Sequence, residues 1–188
     1  METAGFVLAG GRSSRMGRDK SLLELEGEAL VERAARRVAA AAGSVALVGD
    51  AGRHAKFGWP VVVDLRPGQG PLGGIESALA SPFAGQWNLI VACDLPELTA
   101  GFLRRLLDTA EASGCDALLP HTSGGRPQPL CAVYRRSARQ ALEERFRTGT
   151  RKVTLALEEL VVHRLEVSEV LQFQNVNTPE DWADYAAG

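Results

Sequence analysis

The sequence predicts an α/β fold, a mostly parallel twisted sheet flanked by helices, and two observations carry that expectation. Short apolar runs recur along the chain with helical stretches between them, the pattern of repeated strand and helix units. Glycine-rich turns follow several of those runs directly, as they do where a doubly wound sheet presents its strand ends to a ligand. At 188 residues the chain suits one domain, 1–188, with a single hydrophobic core.

In chain order, Gly5 to Leu8 reads as the first buried strand, running into a pair of glycines. Ala29 to Ala42 is alanine-rich and helical in character, and Gly43 is suited to a left-handed C-cap. Val45 to Val48 and Val61 to Val63 are the next expected strands. Gly74 to Ser81 follows as a helix and Leu89 to Ala92 as a strand. Thr99 to Ser113 is a helix with Thr99 as N-cap and Gly114 as stop, and Ala117 to Leu119 is a further strand. Beyond Gly124 the pattern changes: Pro129 to Tyr134 and Val161 to Val167 read as strands, Ser137 to Thr148 and Pro179 to Ala187 as helices. The stretch HTSGGRPQP has turn composition and is expected to be a mobile loop.

Composition narrows the function classes. A formal net charge of -2, with 45% hydrophobic and 23% charged residues, gives no global attraction to nucleic acid or to a membrane surface. Any anion site must be local. Cys93, Cys115 and Cys131 lack C-x-x-C spacing and read as small buried hydrophobes. His54, His121 and His163 have no paired spacing for a metal cage and read as surface or hydrogen-bonded residues. With no secretory leader and no transmembrane stretch, a reducing cytoplasmic setting is expected.

The segment LAGGRSSRMGRDK, Leu8 to Lys20, carries most of the chemistry. Gly10 and Gly11 let backbone approach a ligand closely, while Arg12, Arg15, Arg18 and Lys20 supply charge suited to phosphate. The spacing is not that of a Walker A loop, because five residues separate Gly11 from Gly17 and Arg18 follows; Arg15 likewise occupies the last glycine position of a dinucleotide fingerprint. A solvated basic turn is the competing reading. In VACDLP, Asp94 lies just beyond an apolar strand, where a carboxylate can hold Mg2+ or simply cap the turn before Pro96. VVVDLRPGQGPLGG repeats the arrangement, with Asp64 after a strand and a glycine-rich loop leading into a helix.

Taken together, LAGGRSSRMGRDKSLLEL, GPLGGI, ACDLP and NVNTPED resemble the molybdenum cofactor guanylyltransferases, also called molybdopterin-guanine dinucleotide biosynthesis protein A. The resemblance spans almost the whole chain. It implies a Rossmann-like nucleotidyltransferase fold that joins GMP from Mg-GTP to the phosphate of molybdopterin, in its molybdenum-bound form, and releases pyrophosphate. The N-terminal part then binds GTP and the C-terminal part the acceptor. By the same resemblance Leu8, Ala9, Gly10, Gly11 and Arg12 line the nucleotide site with Asp64 and with Pro71, Leu72 and Gly73. Lys20 contacts phosphate, Asp94 binds magnesium, and Arg15, Lys20 and Asp94 form the catalytic set. Relatives often carry Asn at the end of the second strand, where this chain has Gly49 and Asp50, so that nucleotide contact is not carried over and the role of these two residues is left open. Molybdoenzyme apoproteins and other cofactor-biosynthesis proteins are the implied protein partners.

Transfer of this kind needs in-line positioning and neutralisation of charge on the leaving pyrophosphate, with little covalent work from the protein. No Ser-His-Asp or Cys-His set is needed, and Cys93 is read as strand-end packing. For the acceptor, Gln128, Asn175 and Asn177 carry donors and acceptors suited to a pterin edge, although Asn177 also fits a capping role before the last helix. Arg151 and Lys152 could add charge for the acceptor phosphate or be solvated. Three other readings stay open: a cytidylyltransferase, which an Ala in place of Gly10 would favour; a guanylyltransferase for another small phosphate acceptor; and a non-catalytic nucleotide-binding module for cofactor delivery.

Overall fold

The protein is described by a computed structural model covering residues 2–10, 19–122, 124–168 and 170–174. Its strands are β1 (Thr3–Leu8), β2 (Glu24–Leu25), β3 (Glu28–Ala29), β4 (Ala46–Gly49), β5 (Val61–Val63), β6 (Trp87–Ala92), β7 (Ala117–Thr122), β8 (Cys131–Arg135) and β9 (Val162–Val167). Its α-helices are α1 (Leu30–Ala42), α2 (Ala51–His54), α3 (Pro71–Ala80), α4 (Ala100–Ser113), α5 (Ala138–Arg147) and α6 (Val153–Ala156).

Seven strands form one sheet in the order β5, β4, β1, β6, β8, β7, β9. All neighbours are parallel except β8, which runs antiparallel to both β6 and β7. The sheet is therefore mostly parallel, as the alternation of elements predicts, and β2 and β3 form a separate small hairpin. Side chains on β1 alternate between two cores, Val7 packing toward α1 and α4, Phe6 and Leu8 toward α3 and α5. Burial on both faces explains the apolar runs 4–8 of β1 and 89–92 of β6.

Gly5 shows how tightly the first layer closes. A Cβ there would meet Val38 Cγ1 at 2.3 Å and Ser44 O at 2.6 Å, so α1 rests against bare backbone. Gly43 and Gly114 end α1 and α4 in the left-handed conformation, and the Thr99 side chain accepts from Phe102 N at 3.2 Å.

Several boundaries differ from the sequence reading. Helix α3 begins at Pro71 and not at Gly74: Gly70 is its N-cap, Pro71 supplies a preset φ in the first turn, and Gly73 and Gly74 lie within the helix, where a Cβ would meet Arg66 Cβ at 2.7 Å and Leu8 Cδ2 at 3.2 Å. The hairpin of β2 and β3 escapes periodicity because each strand has two residues, joined by Glu26 and Gly27 with φ of 53° and 80°. Strand β8 starts at Cys131, two residues later than expected, after a turn in which Cys131 N donates to Gln128 O. In the 121–129 stretch, Gly125 N donates to Thr122 O and Gln128 N to Pro120 O, so its described part is a hydrogen-bonded connection between β7 and β8. The expected helix Pro179 to Ala187 lies outside the described residues. Among the described residues, no helix is long and apolar enough to cross a membrane.

Candidate active site

The parallel strands bring their carboxyl ends to one edge. Gly10 follows β1, Asp50 follows β4, Asp64 follows β5 and Asp94 follows β6, while the β7–β8 connection with Gln128 reaches the same edge because β8 starts there. Ala92 N donates to Leu130 O at 2.7 Å, which ties that connection to the end of β6 two residues before Asp94.

Asp94 is held by its surroundings. Cys93 N donates to Leu8 O at 3.3 Å, and the Arg37 guanidinium of α1 donates to Pro96 O, so both sides of the turn are anchored. Its partner is Lys20, whose Nζ lies 3.5 Å from Asp94 Oδ2 although the residues are 74 positions apart. The side chains are 19% and 22% exposed, so the pair faces solvent at the sheet edge and is accessible to a ligand.

Lys20 opens a short 3-10 turn, Lys20–Leu22, and the residues on either side of it are gripped. Asp19 is the N-cap: its Oδ1 accepts from Ser21 N at 3.1 Å and from Ser21 Oγ at 2.7 Å. Its Oδ2 takes Arg53 Nη1 at 2.9 Å. Ser21 is buried, and its Oγ lies 2.9 Å from Nε2 of the equally buried His54. Burial pushes the Asp19 acid up, but the hydrogen bonds from Ser21 and Arg53 outweigh it and hold the carboxyl below its ordinary range.

The β1 and β4 ends meet through their backbones. Ala9 N donates to Val48 O at 2.9 Å, and Gly10, exposed at the edge, has its nearest side-chain-like space against Gly49 Cα and Val48 O at 3.8 Å. Asp50, whose role the sequence left open, N-caps α2 by accepting from Arg53 N at 3.2 Å. Gly49 makes room for the His54 ring, whose Nδ1 and Cε1 would lie 3.2 Å from a Cβ there.

Asp64 Oδ1 accepts from Arg66 N at 2.8 Å and from Ser77 Oγ at 3.3 Å, which fixes the carboxylate at the head of the loop. Arg66 pairs through two nitrogens with buried Glu76, each at 3.2 Å, and stacks on Phe146. Arg151 stacks on the same ring and its Nε donates to Gln69 Oε1 at 3.1 Å, so the glycine-rich loop is fastened at both ends. Arg151 is thereby a support for that loop. Pro71 is exposed in the first turn of α3, whereas the Leu72 side chain is fully buried in the core and Gly73 packs against Arg66.

Of the residues singled out from sequence, the structure brings Leu8, Ala9, Gly10, Lys20, Asp64, Asp94 and Gln128 to this edge. Gly11, Arg12, Arg15, Asn175 and Asn177 lie outside the described residues. Asp19, Ser21, Arg53 and His54 were missed; Asp19 two positions before a serine is a capping signal that could have been found, while the contacts to α2 have no signature in spacing. Burial pushes the Cys93 thiol far above the ordinary cysteine range, with Asp94 and Asp19 adding to the effect, which leaves it no thiolate for nucleophilic work. Among the described residues, no group of three or more His, Cys, Asp or Glu side chains could hold a metal ion. A cation at this edge would rest on Asp94 together with oxygens from a ligand and water.

The model described as MobA-like NTP transferase domain matches residues 5–163. This chain belongs to the MobA-like NTP transferase family. A relative from Xanthomonas euvesicatoria, named molybdenum cofactor guanylyltransferase, is 34% identical over 183 residues, covering 95% of this chain and 92% of that protein. The crystal structure of molybdopterin-guanine dinucleotide biosynthesis protein A from Archaeoglobus fulgidus superposes with a TM-score of 0.84 at 29% identity, covering 98% of this chain and 97% of that one. A cytidylyltransferase from Thermus thermophilus acting on 2-C-methyl-D-erythritol 4-phosphate shares the fold, with a TM-score of 0.75 at 20% identity over 100% of this chain and 98% of that one. Within this MobA-like NTP transferase, the matched span holds every described site residue, while Asn175 and Asn177 fall after it.

Proposed function

We propose that the chain transfers GMP from Mg-GTP to the phosphate of molybdopterin, in its molybdenum-bound form, giving the guanine dinucleotide cofactor and pyrophosphate. The observation that carries this reading is the Lys20 to Asp94 pairing, a cation and a carboxylate 3.5 Å apart at the carboxyl edge of a MobA-like sheet. The names of the relatives from Xanthomonas and Archaeoglobus support the choice of nucleotide and acceptor.

In the reaction, an oxygen of the acceptor phosphate attacks the α-phosphorus of GTP. The new P–O bond forms as the bond to the β-phosphate breaks, and pyrophosphate leaves with the electron pair. Lys20 neutralises charge that grows on the departing phosphates. Asp94 is the carboxylate that would hold Mg2+, which when bound supplies Lewis-acid charge to the triphosphate. Gly10 exposes backbone to the guanosine and Asp64 presents a fixed carboxylate to the nucleoside. Gln128, on the β7–β8 connection, faces the acceptor side, and Arg12, Arg15, Asn175 and Asn177 complete the proposed set.

Incubation with Mg-GTP, Mg-CTP, Mg-ATP or Mg-UTP plus molybdopterin, followed by mass analysis of the product and measurement of pyrophosphate, tests the reading. A guanine dinucleotide with matching pyrophosphate supports it. A cytosine dinucleotide, or nucleotide binding without pyrophosphate release, replaces it with a cytidylyltransferase or a non-catalytic module.

A further inference from the structure

We propose that His54 is a positioning residue for Lys20, acting through Ser21 as a strut from α2. The inference rests on the transferase reading only for its kinetic consequence; the structural link stands on geometry alone. Lys20 is flanked by Asp19 and Ser21, and α2 holds both neighbours, Asp19 through Arg53 at 2.9 Å and Ser21 through His54 at 2.9 Å.

The proton inventory gives the strut a direction. Ser21 Oγ lies 2.7 Å from Asp19 Oδ1, and an ionised carboxylate only accepts, so the hydroxyl proton points to Asp19. The serine oxygen then accepts from His54 Nε2, which carries a proton facing it. His54 Nδ1 is buried without a hydrogen-bond partner among the described residues, so the ring's one polar link is through Nε2 to Ser21. The contacts thus run from His54 Nε2 through Ser21 Oγ–H to Asp19 Oδ1, with Arg53 donating to the other carboxylate oxygen.

The surroundings are built to admit the ring. Gly49 lacks the Cβ that would press on Nδ1 and Cε1 at 3.2 Å, and Asp50 starts the single turn that carries Arg53 and His54. The 3-10 turn bearing Lys20 is consequently pinned from one side, and the ammonium reaches Asp94 from a fixed backbone. A side chain prepositioned before charge develops contributes to turnover more than to substrate affinity.

The test compares His54→Phe, His54→Gln and Ser21→Ala with the unaltered protein. Phe keeps a ring and removes the donor, Gln keeps a terminal donor near Nε2, and Ser21→Ala cuts the same link by losing one oxygen. The direct readout is the rate of reductive methylation of Lys20, followed by peptide mass analysis with exposed Lys152 as internal reference. It needs no activity. For His54→Phe and Ser21→Ala the expected result is Lys20 labelling several-fold faster relative to Lys152, a kcat about tenfold lower and a KM for GTP changed less than about twofold, with His54→Gln close to the parent. The double variant should be no worse than either single change, because both cut one link. Unchanged Lys20 labelling in folded Ser21→Ala, or a KM effect without a kcat effect, overturns the proposal; Ser21→Ala decides the case if His54→Phe does not fold. Faster Lys20 labelling in the two variants, together with an unaltered protein that makes no dinucleotide, would leave the strut standing and reject the transferase reading.

Discussion

Gly10 and Gly49 face each other across the ends of β1 and β4, so that a methyl on Gly10 would lie 3.8 Å from Gly49 Cα, an ordinary contact. Gly10 also has no left-handed φ that would exclude alanine. Nothing described in the protein itself therefore requires glycine at this position, and the requirement is assigned to the ligand that approaches it.

Gly10→Ala should accordingly leave stability within about 0.5 kcal/mol of the parent while lowering the kcat/KM ratio of GTP to CTP by about tenfold. Urea unfolding and steady-state kinetics with both nucleotides check it. A destabilised variant, or an unchanged ratio, removes Gly10 from base selection.

Gly5 gives the opposite expectation. A methyl there would overlap Val38 and the Ser44 carbonyl, so Gly5→Ala should destabilise by about 1–3 kcal/mol through forced separation of α1 from β1. Activity per folded molecule at low temperature should be retained, since the overlap lies away from the carboxyl edge. A denaturation midpoint equal to the parent's would contradict the packing described.

Asp19 predicts a pH dependence of stability. Its acid is held below the ordinary range by Ser21 and Arg53 despite burial, so the folded protein binds fewer protons there than the unfolded chain. That contribution is present above the unfolded pKa and is lost as pH falls through the folded one. Asp19→Asn should be less stable near neutral pH and converge on the parent progressively as pH falls from about 5 through the lowered folded-state pKa. Parallel stability curves for the two proteins over that window would exclude a native Asp19 held ionised by its partners.

The order of strands and helices was legible because buried parallel strands are continuous apolar runs and because Gly43, Thr99 and Gly114 mark helix ends by their own conformational preferences. The hairpin at Glu26 and Gly27 was not, since two-residue strands carry no period. Pro71 to Gly73 read as loop because proline and glycine are poor helix formers, yet a Cβ on Gly73 would meet Arg66 Cβ at 2.7 Å, so close packing accounts for glycine in the first turn of α3. In the site, Lys20 and Asp94 were legible as chemistry after strands. The grip of α2 was not, because His54 and Arg53 lie 33 and 34 residues from the groups they hold and only the folded path of β4 brings them there.

The most direct measurement is the rate of pyrophosphate release from Mg-GTP in the presence of molybdopterin, compared among the unaltered protein, Lys20→Ala and Asp94→Asn. Lys20 and Asp94 form a partly exposed ion pair, worth about 0–1 kcal/mol to the fold, so neither change should unfold the protein. Each should lower kcat by about 10²–10³-fold while circular dichroism and the unfolding midpoint stay near the parent's, because charge in the transition state loses its counter-charge or its metal ligand. Folded variants that release pyrophosphate at the parent's rate would contradict the assignment of this pair as the centre of the reaction.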